Sequence, residues 1–247
     1  MDNPNILVTN DDGIYSPGLK ILFDAVKPLG NPIIIAPETP KSSSGLGGIT
    51  LHKPLRLEEV NVNGLRMWST NGTPSDIIYL AQRIANKIDV AVSGVNIGDN
   101  TSIQVILSSG TIGAAAQAAL IGGVPAIAFS AAVSSAGELE AVADFIAAGG
   151  ARAVVSHVMR RGMPKGIDVL SINFPREFSP NTVAKTAEAA RLRYEQYLDE
   201  RVDPRGGKYY WLYGGEQKNP RPGTDVYVVN VERNIAVTPP LPGSKCE

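Results

Sequence analysis

The chain has 247 residues, 43% of them hydrophobic and 19% charged, with a formal net charge of -1. That supplies enough apolar material for one large domain with an appended arm, while the balanced charge and the lack of any sustained Lys/Arg block argue against a nucleic-acid polymer or a membrane as the main partner. The same balance points to a small-molecule partner, and Cys246, the only cysteine, excludes an intramolecular disulfide and a thiolate metal cage and fits a reducing compartment.

Met1-Asp2-Asn3-Pro4 lacks the basic and apolar regions of a signal peptide, so a location inside the cell is expected. Short apolar runs then alternate with amphipathic segments, the pattern of a mainly parallel sheet covered by helices. Ile6 to Thr9, Ile33 to Ile35, Val90 to Val92 and Ala126 to Phe129 read as central strands. Pro17 to Val26 reads as a helix with Ser16 as N-cap and Pro17 at its first position. Leu51 to Val60 and Leu65 to Thr70, joined by Asn63-Gly64, read as an edge hairpin. Thr73-Pro74-Ser75-Asp76 opens a helix running through Ile84. Ser108-Ser109-Gly110-Thr111 opens another, closed by Gly122-Gly123. The one membrane-like stretch, Ile112 to Val133, is interrupted by those glycines and Pro125, so it reads as a buried helix and a buried strand. A further helix is expected over Glu138 to Arg160 and a strand over Val169 to Asn173.

Beyond Arg191 the character changes. Tyr194, Tyr197, Tyr209, Tyr210, Trp211 and Tyr213 crowd around a Pro-Arg-Gly-Gly turn, and aromatics on a projecting hairpin need a covering surface, for which a second subunit is a candidate. The expected fold is α/β, a three-layer Rossmann-like sheet flanked by helices. Residues 1–190 and 225–247 form the main domain, and 191–224 a projecting arm.

In such a sheet, ligands bind outside the carboxyl ends of the strands, where neighbouring crossovers go to opposite faces. Three oxygen-rich loops follow strands: Asn10-Asp11-Asp12-Gly13, "APETPKSSSGLGG" from Ala36, and "SGVNIGDNTSIQVILSS" from Ser93. Asp11 and Asp12 are adjacent like charges after an apolar strand, and a hard divalent cation would remove their repulsion. Ser109-Gly110-Thr111 stands at a helix start, where free N–H groups and the helix dipole favour a phosphate. Each piece alone is a turn or a cap; their convergence suggests phosphoryl chemistry. His52 and His157 read as structural, and no G-x-S-x-G elbow or GxxxxGK[ST] loop occurs.

The segments "ILVTNDDGIYSPGL", "APETPKSSSGLGGIT", "NGTPSD", "VSGVNIGDN", "SSGTIGAAAQAAL" and "AVTPP" follow one another as do the motifs of the SurE family of stationary-phase survival nucleotidases. The chain resembles that family from Asn5 to about Pro240. The resemblance implies a cytoplasmic, metal-dependent phosphomonoesterase of the 5′-nucleotidase type, releasing phosphate from nucleoside 5′- and 3′-monophosphates and, in some members, from short polyphosphate. It implies that Asp11, Asp12, a second-loop serine and Asn96 hold one divalent cation per subunit, magnesium or manganese, and that the 191–224 arm builds a homodimer or homotetramer. Counting from Ala36-Pro37 makes the serine Ser42, counting back from Ile49-Thr50 makes it Ser43; Ser42 is preferred. The expected mechanism is hydrolysis by a metal-activated water, with Asn10, Ser109, Gly110 and Thr111 holding the phosphoryl oxygens and Asp12 accepting a proton. Direct attack by Asp11 is the covalent variant. A non-catalytic nucleotide- or metal-binding module is the alternative.

Overall fold

The computed structural model describes residues 3–46, 48–192, 196–214 and 219–240; Gly47 of the second loop, and Tyr194 and Cys246 named above, lie outside them. The first strand, β1 (Asn5–Thr9), is followed by α1 (Pro17–Val26), which starts where the sequence places it. The Ser16 hydroxyl accepts from Gly18 N and Pro17 occupies the first turn. Strand β2 (Asn31–Pro37) leads through the second loop to the antiparallel pair β3 (Leu57–Val62) and β4 (Leu65–Thr70). β3 begins later than expected, because the Asn71 carboxamide accepts from Arg56 N and donates to the Pro54 carbonyl, which holds the preceding residues as a loop. A 3-10 turn (Pro74–Asp76) enters α2 (Ile77–Ile84).

Strand β5 (Val90–Ile97) runs five residues beyond the expected stretch. It is followed by α3 (Ser102–Ser108), a helix in what reads as loop, then by α4 (Gly110–Leu120). The two helices are bent by 73° at Ser109. Strand β6 (Ala126–Ala131) precedes the region expected to be one helix, which instead comprises α5 (Ala136–Ala141), a π-helical turn (Phe145–Ala151) and α6 (Arg152–Arg161). The chain ends its described part with β7 (Val169–Phe174), β8 (Ala184–Thr186), the arm strands β9 (Gln196–Val202) and β10 (Lys208–Gly214), α7 (Asp225–Asn230) and β11 (Ile235–Thr238).

Nine strands form one sheet in the order β3-β4-β2-β1-β5-β6-β7-β11-β8. It is parallel from β4 through β7, with β3 and β11 antiparallel to their neighbours β4 and β7. Alternation along the strands splits the core in two. Ile6 and Val8 pack with Leu22, Phe129, Leu139 and Val155 on one face, whereas Leu7 packs with Ile35, Ile77, Ile112 and Ala115 on the other. The three expected layers are therefore present. From β1 the chain first builds outward through β2 to β4, and then returns to place β5 on the other side of β1. The crevice between the ends of β1 and β5 is thus the topological switch point. The arm strands form a separate antiparallel pair in which Tyr197 stacks on Tyr213 at 5.3 Å and Trp211 stays 60% exposed. Among the described residues no single helix is long and apolar enough to cross a membrane.

Candidate active site

The turn after β1 is closed by its own first residue. Asn10, fully buried, accepts from Gly13 N through Oδ1 and donates to Gly13 O through Nδ2, both at 3.1 Å. Gly13 sits at φ 92, a conformation glycine adopts without steric cost. This locked turn fixes Asp11 and Asp12. Asn10, expected at the phosphate, spends both ends of its carboxamide on the turn.

Asp11 is buried, with 3% of its surface exposed, and Asp12 is half-buried. Burial pushes the Asp11 carboxyl above its ordinary value against the Thr111 hydroxyl and nearby N–H groups that hold it down. Asp12 is pushed up to about 6, by burial and then by the Asp11 charge, opposed by the Ile97 N–H that donates to its Oδ2 at 3.3 Å.

From β5, Asn96 donates through Nδ2 to Gly98 O at 2.8 Å and Ile97 O at 3.2 Å, which aims its Oδ1 at Thr111. Thr111 Oγ1 donates to Asp11 Oδ1 and also lies 3.2 Å from Asn96 Oδ1. Two acceptor oxygens from two segments therefore share a single hydroxyl hydrogen from a third, leaving a surplus of lone pairs that suits a cation.

The bend between α3 and α4 brings the start of α4 against the carboxylates, with Ser109 as N-cap accepting from Ile112 N at 3.2 Å. Gly110 has room for nothing more: a β-carbon there would lie 2.6 Å from Ser44 Oγ and 2.8 Å from Asp11 Cβ. The second loop is tied down by Lys41 N donating to Asp11 O at 2.7 Å, Gly45 N to Ser108 O at 3.0 Å and Thr50 N to Asp76 Oδ1 at 2.7 Å. These ties place Ser42 and Ser43 on the wall of a cavity of about 220 Å³ that Asp11, Asp12, Asn96 and Ser109 also line. The Ser44 hydroxyl is buried beside Gly110 without a hydrogen-bond partner.

The structure thus gathers Asp11, Asp12, Ser42, Asn96, Ser109, Gly110 and Thr111 in one place. Sequence reasoning missed Ser44, in the second oxygen-rich loop, and Asp99 and Asn100, in the third, the last two also lining the cavity; their place in those loops was the available signal. A larger, mainly apolar cavity of about 1030 Å³ lies between α6 and the β7–β11–β8 side of the sheet, lined by Val154, His157, Leu170 and Val237 among others. Its polar side chains, Thr186, Glu188 and Arg221 among them, include a single carboxylate, whereas the smaller cavity gathers Asp11, Asp12 and Asp99 with Asn96 and Asn100.

Among the described residues no three His, Cys, Asp or Glu side chains cluster as a metal cage. A cation held here would complete its shell with the neutral oxygens of Asn96 and a serine, and these hard donors fit magnesium or manganese. Both charges of the aspartate pair would be matched by one divalent ion.

An oxygen-donor crevice at the switch point of a parallel sheet, roofed by a helix N-terminus, defines an α/β protein of the Rossmann-like kind with an anion- and cation-compatible site. The chain belongs to the SurE family: the family model described as "Survival protein SurE" matches residues 6–198. It is 58% identical over 243 residues to a protein of Hyperthermus butylicus named "5'-nucleotidase SurE", covering 95% of this chain and 83% of the relative. It is 52% identical over 239 residues to the protein of the same name from Pyrobaculum arsenaticum, covering 95% and 88%. The crystal structure of the SurE protein from Aquifex aeolicus superposes with a TM-score of 0.76 at 29% identity, covering 96% of this chain and 92% of that one.

Proposed function

We propose that this chain is a metal-dependent phosphomonoesterase that hydrolyses nucleoside 5′- and 3′-monophosphates to nucleoside and phosphate, a hydrolase of the 5′-nucleotidase class. The observation that carries the reading is the sharing of the Thr111 hydroxyl hydrogen by the Asp11 and Asn96 oxygens beside the α4 N-terminus, in a chain 58% identical to a named 5′-nucleotidase. One magnesium or manganese ion per subunit fits Asp11, Asp12, Asn96 and the Ser42 hydroxyl. When bound, such an ion draws charge from a phosphate oxygen and makes water a better nucleophile.

The chain's own residues do the rest. The N–H groups at the start of α4, with Ser109, Gly110 and Thr111, hold the phosphoryl oxygens and stabilise the charge that spreads over them during transfer. Thr111 orients Asp11 and favours its ionised form against the burial that opposes it. Asp12 accepts a proton from the attacking water, a role suited to a carboxylate raised towards neutrality. Asn10 rigidifies the turn that carries both aspartates and offers its second Nδ2 hydrogen to the phosphate.

The exposed aromatic face of the β9–β10 hairpin supports self-association, as a homodimer or homotetramer through the 191–224 arm, in the cytoplasm. Phosphate release from a panel of nucleoside monophosphates, measured after chelation by EDTA and again with each metal restored, tests the reading. Turnover that vanishes and returns with metal supports it, and tight nucleotide binding without turnover would favour a binding module.

A further inference from the structure

We infer that Asp225, on α7 and outside the stretch matched by the family model, is a positioning residue for the active site, and this rests on the reading of that site given above. Its carboxylate is fully buried, an environment that a charge tolerates only when its lone pairs are filled. They are filled by backbone. Oδ2 accepts from Ser102 N at 2.9 Å, and Oδ1 accepts from Ala190 N at 2.9 Å and from its neighbour Val226 N at 2.8 Å.

Ser102 is the first residue of α3, at φ 69, which non-glycine residues rarely adopt. The first N–H groups of a helix need partners, ordinarily from an N-cap side chain. Here Thr101 makes no such bond, and its hydroxyl donates to Asp99 Oδ2 at 3.0 Å. Asp225 supplies the missing acceptor from 123 residues away, and Ile103 N is taken by Ala190 O at 2.9 Å.

The consequence falls on the cavity wall. The loop that carries Asp99 and Asn100 is pinned at one end where Gly98 N donates to Ala131 O at 2.9 Å. In its middle Asn100 N donates to Asn173 Oδ1 and Asn100 Nδ2 to Ser130 Oγ, both at 2.8 Å. At the other end Asp225 is the side chain that holds it, and α3 then carries Val105 and Ser108 of the same wall to the Ser109 cap. Asp225 N also donates to Glu188 O at 2.9 Å, so the same residue ties both roots of the arm to the site. The carboxylates themselves stand on β1 and its turn, away from this clasp. Loss of the clasp should misplace the substrate wall and leave the cation ligands where they are.

The test compares Asp225→Ala and Asp225→Asn with the parent chain, each checked for folding by circular dichroism. Steady-state hydrolysis of a nucleoside monophosphate, Mn2+ binding by calorimetry, and amide hydrogen exchange over residues 98–104 are measured. The expected result is kcat/KM at least tenfold lower in Asp225→Ala and less reduced in Asp225→Asn, Mn2+ affinity within twofold of the parent, and exchange at 98–104 accelerated while β1 stays protected. Unchanged exchange at 98–104 overturns the inference whether or not the parent turns over. So does a kcat/KM within twofold of an active parent, or loss of Mn2+ affinity in step with activity. A parent that releases no phosphate with any metal counts against the nucleotidase reading, and the exchange data then decide the positioning role alone. If Asp225→Ala does not fold, Asp225→Asn decides on the same three readouts.

Discussion

The Thr111 hydroxyl donates to Oδ1 of the buried Asp11 carboxylate across 100 residues of sequence. That contact joins the loop after β1 to the first turn of α4, and it is the main local influence holding down a carboxyl that burial pushes up. Thr111→Val keeps the shape and removes the hydrogen. A hydrogen bond to a charged group contributes about 1.5–3 kcal/mol, so kcat/KM should fall roughly 10- to 100-fold, with Thr111→Ser retaining most of the activity in steady-state assays.

Asp12→Asn and Asn96→Ala should each abolish phosphate release while leaving the circular dichroism spectrum unchanged. The Asp12 carboxylate accepts from Ile97 N, a bond the asparagine Oδ1 can still accept. Asn96 uses its Nδ2 on two neighbouring carbonyls, so its removal costs local order but no core packing. Wild-type rates in either variant would remove that residue from the mechanism.

The acidic pair also predicts how metal-free stability depends on pH. Asp12 titrates near its ordinary 3.8 when unfolded and at about 6 when folded, so between these values the folded chain binds more protons than the unfolded one. Stability of the metal-free protein therefore declines as pH rises from about 4 through about 6. Thermal melts in EDTA should show that decline, and Asp12→Asn should flatten it. Because protons and the cation compete for the same oxygens, Mn2+ should raise the melting temperature more at pH 7.5 than at pH 5.

At Gly110 a methyl group would meet Ser44 Oγ and Asp11 Cβ inside normal contact distance. Gly110→Ala should push the second loop and Asp11 apart. Forced shifts of this kind cost about 1–3 kcal/mol, so the melt should shift down and activity should fall more than stability does, as read by residual phosphate release at a temperature where the variant is folded.

The arm makes a separate prediction. Leu198 faces Leu212 across the hairpin, and both are exposed, as is Trp211. If the arm builds the proposed homo-oligomer, Leu198→Asp with Trp211→Asp should give a smaller species by light scattering after size exclusion, because burying charge in an apolar contact is costly. An unchanged mass would count against the arm as a subunit contact.

What was legible in the sequence was what local chemistry decides. Ser16-Pro17 and Ser109-Gly110 announce their helices because cap and first turn are adjacent in the chain. Asp11 and Asp12 announce the site because two charges after an apolar strand require an explanation. The hidden parts depend on distant partners. Helix α3 takes its N-terminal acceptors from Asp225 and Ala190, so nothing nearby in sequence marks its start. The expected helix from Glu138 widens into a π turn at Gly149-Gly150, where Gly150 lies so close to the Phe174 ring that a β-carbon would come within 2.4 Å of it. Nothing in the sequence around Asn10 announces that its carboxamide also closes the turn onto Gly13.

The most direct measurement is Mn2+ binding by calorimetry on the parent chain, Asp11→Asn and Asp12→Asn, paired with phosphate release before and after exhaustive chelation. The account predicts one ion per parent chain, weakened or lost in both variants, with hydrolysis that stops on chelation and returns with Mn2+. Hydrolysis that persists undiminished in the chelated protein, with no ion bound beside the two aspartates, would contradict it.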